Sequence, residues 1–219
     1  MIKVVSVNRG ERAYLLQGKK NVATGIFKKP VVGSVAISEF GMAGDTIYDS
    51  KYHGGPDQAV YAYFQEDYHW WNEQLGENWG AGTFGENLTI IGVENTQMFV
   101  GDTLVFPHLE LQVTAPRIPC MTLAARMNIA GFVKQFFESE RPGVYFRVLR
   151  SGSIAEGERG EHHLYPGDRI SIRQFLADAL KKLSIVEMQR YLALPIDVRS
   201  RKRIEAKLFQ KQNSQGSGQ

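Results

Sequence analysis

The sequence predicts a mainly β domain with some helix: a barrel over residues 1–173, a small three-helix unit over 174–212, and a flexible tail over 213–219. Three observations predict it. Up to about Arg173 the chain runs in short apolar or alternating segments separated by glycine, proline and aspartate, the pattern of strands and turns. No helical pattern recurs between those segments, which argues against a doubly wound parallel sheet and for a closed or partly closed barrel of mixed strands. After Arg173 the pattern becomes helical.

The first strand is expected around Val4, with further strands around Val31 and Ile37 and over 59–63, 88–91, 103–106, 109–113 and 145–149. Residues 109–113 alternate apolar and polar side chains, as a half-buried strand does. Gly-Asp pairs recur at Gly44-Asp45, Gly101-Asp102 and Gly167-Asp168, and the last two read as tight turns into strands. Two helices are expected within this region. Residues 65–75 place Tyr68, Trp71 and Leu75 at helical spacing; residues 130–138 do the same with Phe132, Val133, Phe136 and Phe137. Their aromatic residues read as core.

Beyond Arg173, residues 175–182 lack glycine and read as the first helix of the terminal unit. Ser184 and Glu187 form a capping box for a second helix ending before Pro195, and Asp197 caps a third over 198–212. The basic run Arg199-Ser200-Arg201-Lys202-Arg203 reads as a solvated helix face. This unit is open to three roles: covering a barrel end, forming a homodimer contact, or docking a reductase. The polar stretch after Gln212 reads as a tail.

Composition excludes several classes. A hydrophobic content of 43% supports a sizeable core, and 22 glycines against 8 prolines fit a turn-rich fold. No apolar run reaches the length of a membrane span. A net charge of +3, spread over local lysine and arginine clusters, does not mark a nucleic-acid binder. The start Met1-Ile2-Lys3-Val4-Val5-Ser6-Val7 reads as a strand rather than a secretion signal. With one unpaired cysteine it places the protein in a reducing cytoplasm.

That cysteine, Cys120, lies in Pro116-Arg117-Ile118-Pro119-Cys120-Met121-Thr122. One thiol forms neither an intrachain disulfide nor a multi-cysteine metal site. It is a buried filler, a nucleophile, or one ligand of a metal whose other ligands come from elsewhere. Arg117 favours thiolate and suits phosphate. In Lys51-Tyr52-His53-Gly54-Gly55-Pro56-Asp57-Gln58-Ala59 the glycines let backbone N–H groups approach an anion, Lys51 adds charge, and His53 is a candidate acid or base. In Phe84-Gly85-Glu86-Asn87-Leu88, Gly85 permits a sharp turn and Asn87 offers donor and acceptor. Glu86 is expected to stay ionised and orient a lysine or histidine. Each segment also reads as an ordinary turn into a strand. Together they suggest a large anionic cofactor, while Cys120 with His53 leaves a cysteine hydrolase open.

These segments, with Gly44-Asp45, Gly101-Asp102 and Gly143-Val144-Tyr145, resemble in order and spacing the MOSC domain family, and within it the stand-alone bacterial members with a three-helix appendage. The resemblance implies a MOSC-type β-barrel that binds molybdenum cofactor in its molybdopterin form, independently of pyridoxal phosphate. Cys120 would ligate the metal, and Lys51, His53, Gly54, Gly55, Gly85, Glu86, Asn87, Arg117 and Thr122 would surround the cofactor. Cys120, Lys51, His53 and Arg117 would serve the reaction. The implied activity is reduction of N-hydroxylated compounds, including hydroxylaminopurines and amidoximes, to amines. It would protect against toxic base analogues and draw electrons from a redox protein. A non-catalytic cofactor carrier or sulfur-transfer module is the alternative.

Overall fold

The computed structural model describes residues 1–48 and 53–216. Lys51 and residues 217–219 lie outside them. The chain opens with β1 (Ile2–Gly10), the hairpin β2 (Ala13–Gln17) and β3 (Lys20–Thr24), then β4 (Lys28–Pro30), β5 (Val35–Ser38) and β6 (Gly41–Met42). Next come β7 (Val60–Phe64), α1 (Gln65–Leu75), β8 (Leu88–Ile91), β9 (Thr103–Val105) and β10 (Glu110–Pro116). Then follow α2 (Met121–Met127), α3 (Phe132–Ser139), β11 (Val144–Arg150), β12 (Gly152–Ile154) and β13 (Arg159–His163). The chain finishes with α4 (Ile172–Asp178), α5 (Ile185–Leu192) and α6 (Val198–Gly216).

The strands close into an uneven barrel in the order β13-β9-β10-β11-β7-β8-β1, and β1 returns to β13 through the pairs Ile2↔Gly160 and Lys3↔Arg159. Neighbours in the ring are antiparallel except β7 and β8, which α1 joins as a crossover. Strand β4 pairs antiparallel with the far half of β1. Alternation along the strands fills the interior with Val4, Val60, Ala62, Ile90, Leu111 and Phe146, none more than marginally exposed. Ile172, Phe175, Met188, Tyr191 and Ile204 of the terminal helices join this same cluster. Their apolar faces therefore complete the barrel core rather than enclosing one of their own.

A second, aromatic cluster packs outside the ring. Tyr63, Tyr68, Trp71, Phe84, Phe132 and Phe136 are all buried, and the Tyr63 and Phe84 rings stack at 4.1 Å. Cys120 packs against this cluster.

The structure departs from the sequence-based expectation in five places. The β2–β3 hairpin turns at Gly18, whose φ of 62° is open to glycine; its charged turn masks the pattern. Helix α2 follows Cys120 directly, because Met121 to Met127 are good helix formers once the prolines end. Residues 169–172 form no strand: Phe99 makes only a bridge to Ser171, and the Ser171 side chain accepts from the Gln174 N–H to start α4 at Ile172. Helix α6 continues beyond Gln212 to Gly216. The basic run is only partly solvated. Lys202 and Arg203 are exposed, whereas half-buried Arg201 donates to the Leu192 and Leu194 carbonyls at 2.9 and 2.7 Å, and Arg199 reaches the loop of His53.

Candidate functional site

One cavity of about 810 Å³ gathers the segments singled out in the sequence. This lies within the usual range for a small-molecule or cofactor site. Its walls come from β3 and the strand-entry loop after it (Thr24, Ile26, Lys28), from Asp45, from the loop carrying His53, Gly54 and Gln58, and from Gly85 and Asn87. Residues 117–122 and the rings of Tyr61 and Tyr145 complete it.

Cys120 is the N-cap of α2, in extended backbone where Pro119 has just released the chain. It is neither sealed nor fully open. Burial raises its pKa, but nearby His53 and the charge of Arg117 outweigh burial, and the Leu123 N–H adds to them. The net effect lowers the thiol from 9.0 to about 6. The side chain is therefore a thiolate at neutral pH.

Arg117 is 5% exposed. Its Nη1 donates to the Phe84 carbonyl, and its guanidinium lies 4.9 Å from the Tyr61 ring centroid. Its Nε is buried and has no hydrogen-bond partner among the described residues. A buried cation with a spare donor on a cavity wall suits an anionic ligand. Burial holds Tyr61 and Tyr145 protonated, and Tyr61 donates to the Pro142 carbonyl at 2.8 Å.

His53 and Gly54 enter from the loop before β7. Gly54 has φ of 70°, a left-handed backbone conformation that favours glycine. Opposite, Lys28 Nζ pairs with Asp45 at 2.5 Å. The Asp45 carboxylate also accepts from the Gly10 N–H at 2.8 Å and Asn87 Nδ2 at 2.9 Å, while Asn87 Oδ1 accepts from the Tyr61 N–H at 3.2 Å. Burial lowers the Lys28 pKa despite Asp45.

The cavity thus brings together His53, Gly54, Gly85, Asn87, Arg117, Cys120 and Thr122. Lys51 lies outside the described residues. Gly55 is not on the wall; it starts the 3₁₀ turn at Pro56. Glu86 is a correction. It sits fully buried behind the wall, where its Oε1 accepts from Tyr68 Oη, the Gly82 N–H and Thr89 Oγ1 at 2.7, 2.6 and 2.8 Å. It orients neither a lysine nor a histidine in these contacts, and burial raises its carboxyl pKa. The turn at Gly85 reverses the chain so that Glu86 points inward. Sequence reasoning missed Lys28, Gln58, Tyr61 and Tyr145 as wall residues. Lys28 looked like half of a solvated pair, and the tyrosines looked like ordinary strand residues. Only Asp45, in a Gly-Asp turn, hinted at a buried partner.

Among the described residues no group of three or more His, Cys, Asp and Glu side chains converges as a metal site. A metal beside Cys120 would need most of its ligands from a bound group, and the spare Arg117 donor and the cavity volume fit such a group. Among the described residues no helix is long and apolar enough to cross a membrane.

Comparison with known proteins agrees with this architecture. The MOSC domain model matches residues 49–171. The uncharacterized protein YflK of Bacillus subtilis is 35% identical over 154 residues, covering 70% of this chain and 70% of that protein. A protein named reductase from Gibberella moniliformis is 30% identical over 141 residues, 63% of this chain and 25% of its own length. The crystal structure of YiiM from Geobacillus stearothermophilus superimposes with a TM-score of 0.78 at 27% identity, over 95% of this chain and 100% of that one. The chain belongs to the MOSC domain family and is of the YiiM type.

Proposed function

We propose that the chain binds molybdenum cofactor in this cavity and reduces N-hydroxylated small molecules to amines. The observation that carries the reading is Cys120, a thiolate held by His53 and Arg117 on the wall of a cofactor-sized cavity. A soft thiolate is the ligand type that suits such a metal. A reductase among the relatives and the YiiM architecture support a redox role.

When bound, the cofactor supplies the two-electron chemistry that removes oxygen from an N–OH group. The balance is R–NH–OH plus two electrons and two protons to R–NH₂ and water, with the electrons drawn from a redox protein. The residues have narrower tasks. Arg117 offsets negative charge on the cofactor and keeps Cys120 ionised. His53, which lines the same cavity, would deliver a proton to the leaving oxygen. The Lys28–Asp45–Asn87 set fixes the opposite wall. In this reading the protein acts on toxic base analogues in the reducing cytoplasm, where Cys120 stays unoxidised.

The test compares molybdenum content and benzamidoxime reduction of wild type and Cys120→Ala, both expressed with an intact cofactor pathway. Metal lost with Cys120→Ala supports the ligand role, and equal metal in both removes it. Metal retained by wild type without turnover would make the chain a carrier. The Cys120–His53 pair also fits a thiolate nucleophile. That reading predicts ester or thioester hydrolysis by metal-free protein, lost on alkylating Cys120.

A further inference from the structure

The His53–Gly54 loop is tied to the far end of the chain. Arg199, in the first turn of α6, donates from Nη1 to the Gly54 carbonyl at 2.8 Å and to Gln58 Oε1 at 3.0 Å, and from Nη2 to the His53 carbonyl at 3.3 Å. The residues are 145 positions apart in sequence. The tie is reciprocal. Asp57 Oδ2 accepts from the Val198 N–H at 2.7 Å, satisfying a free donor at the start of α6. Asp57 Oδ1 pairs with Arg147 at 2.9 Å, and Arg147 donates onward to the Pro195 and Ile196 carbonyls at 3.0 and 3.1 Å. Asp197 aims Arg199 by accepting from the Arg199 and Ser200 N–H groups at 3.1 and 3.0 Å.

We propose that Arg199 is a positioning residue for His53, making the C-terminal helical unit part of the Cys120 site. A guanidinium spans three acceptors in one rigid plane, which a lysine does not. Gly54 and Gly55, with φ of 70° and 84°, give this loop little stiffness of its own. Without Arg199 the His53 and Gly54 carbonyls lose their donor, and the imidazole loses its anchor on the cavity wall that it shares with Cys120. The assignment goes beyond the proposed function, because it concerns side chains present whatever group the cavity holds.

The experiment uses full-length, cofactor-free protein: wild type, Arg199→Met, Arg199→Lys and Arg201→Met. Hydrogen–deuterium exchange is followed by peptide, and the His53 imidazole is followed by NMR with labelled histidine, its signal assigned by His53→Gln. Losing two or three hydrogen bonds of ordinary net strength predicts roughly 30- to 150-fold faster exchange across 53–58 in Arg199→Met. Exchange in β8 and β10 should stay unchanged. The His53 signal should move toward its position in Cys120→Ala, where its partner is gone. Arg199→Lys should restore part of both effects. Arg201→Met, which frees Leu192 and Leu194 instead, should loosen 192–197 and spare 53–58. Wild-type exchange over 53–58 and an unmoved His53 signal in Arg199→Met would overturn the assignment. Should that variant fail to fold, Arg199→Lys decides: partial loosening over 53–58 supports the role, and wild-type behaviour overturns it. None of these readouts depends on molybdenum.

Discussion

Replacing His53 by glutamine should move the ionisation of Cys120 upward, and the size of the move follows from the site. The wild-type thiol ionises at about 6, because nearby His53 and the Arg117 charge together overcome burial. A free cysteine ionises near ~8.5, so at pH 7 the thiolate fraction is about 90% in the first case and about 3% in the second. His53 is the largest of the lowering influences, so its loss should raise the midpoint by one pH unit or more, on the order of 1.4 kcal/mol per unit. Arg117 remains, so the midpoint should stop short of the free value. A rate at one pH would mislead. Thiolate nucleophilicity rises with pKa at a slope of about 0.4–0.5, which cancels much of the lost thiolate fraction. The assay is therefore the pH profile of Cys120 alkylation by iodoacetamide in cofactor-free protein, from pH 4.5 to 10. Wild type should plateau above about pH 6 and fall about tenfold per unit below it. A wild-type midpoint at ~8.5, or an unchanged midpoint in His53→Gln, would refute the electrostatic account of the site.

Other perturbations test the frame around it. Asp67 is buried, and burial outweighs its partner Arg141, raising the carboxyl from 3.8 to about 6. The folded chain then keeps a proton that the unfolded chain has released. Its contribution is present below about pH 4 and is lost as pH rises through about 6, by about 3 kcal/mol in all. The urea stability of wild type relative to Asp67→Asn should fall by about that much between pH 4 and 7; parallel curves would contradict it. Lys28→Met leaves Asp45, 4% exposed, without its cation and should cost about 3–5 kcal/mol in urea unfolding, partly recovered by adding Asp45→Asn. Phe84→Ala, at a fully buried ring between Tyr63 and Trp71, should cost about 3–5 kcal/mol and lower the melting temperature accordingly. Deleting residues 175–219 removes Met188, Tyr191 and Ile204 from the shared core and should abolish cooperative thermal unfolding. A truncated barrel that melts like the full chain would show that the helices are dispensable.

Signals confined to a few neighbouring residues were legible from the sequence. Helix α1 spans the residues its aromatic spacing marked, β8 spans its apolar run, and Ser184 with Glu187 forms the expected capping box. Asp197 caps α6 as its position foretold. The glycine-rich loops, Arg117 and Cys120 stood out because few side chains carry such chemistry. Glu86 misled because a charged residue beside a loop glycine looks exposed. Whether it faces the cavity or the core depends on one backbone reversal at Gly85.

The sequence by itself thus determined a strand-rich domain with terminal helices and the segments that build a thiolate site. Those properties follow from periodicity, capping and residue chemistry, which act over a few positions. Only the tertiary structure decided that β1 closes the ring on β13, that Lys28 and Asp45 meet on the cavity wall, and that Arg199 reaches back to His53. Such contacts join residues far apart in the chain, and no local pattern encodes them. They are fixed when burial of the shared core brings the two ends of the chain together.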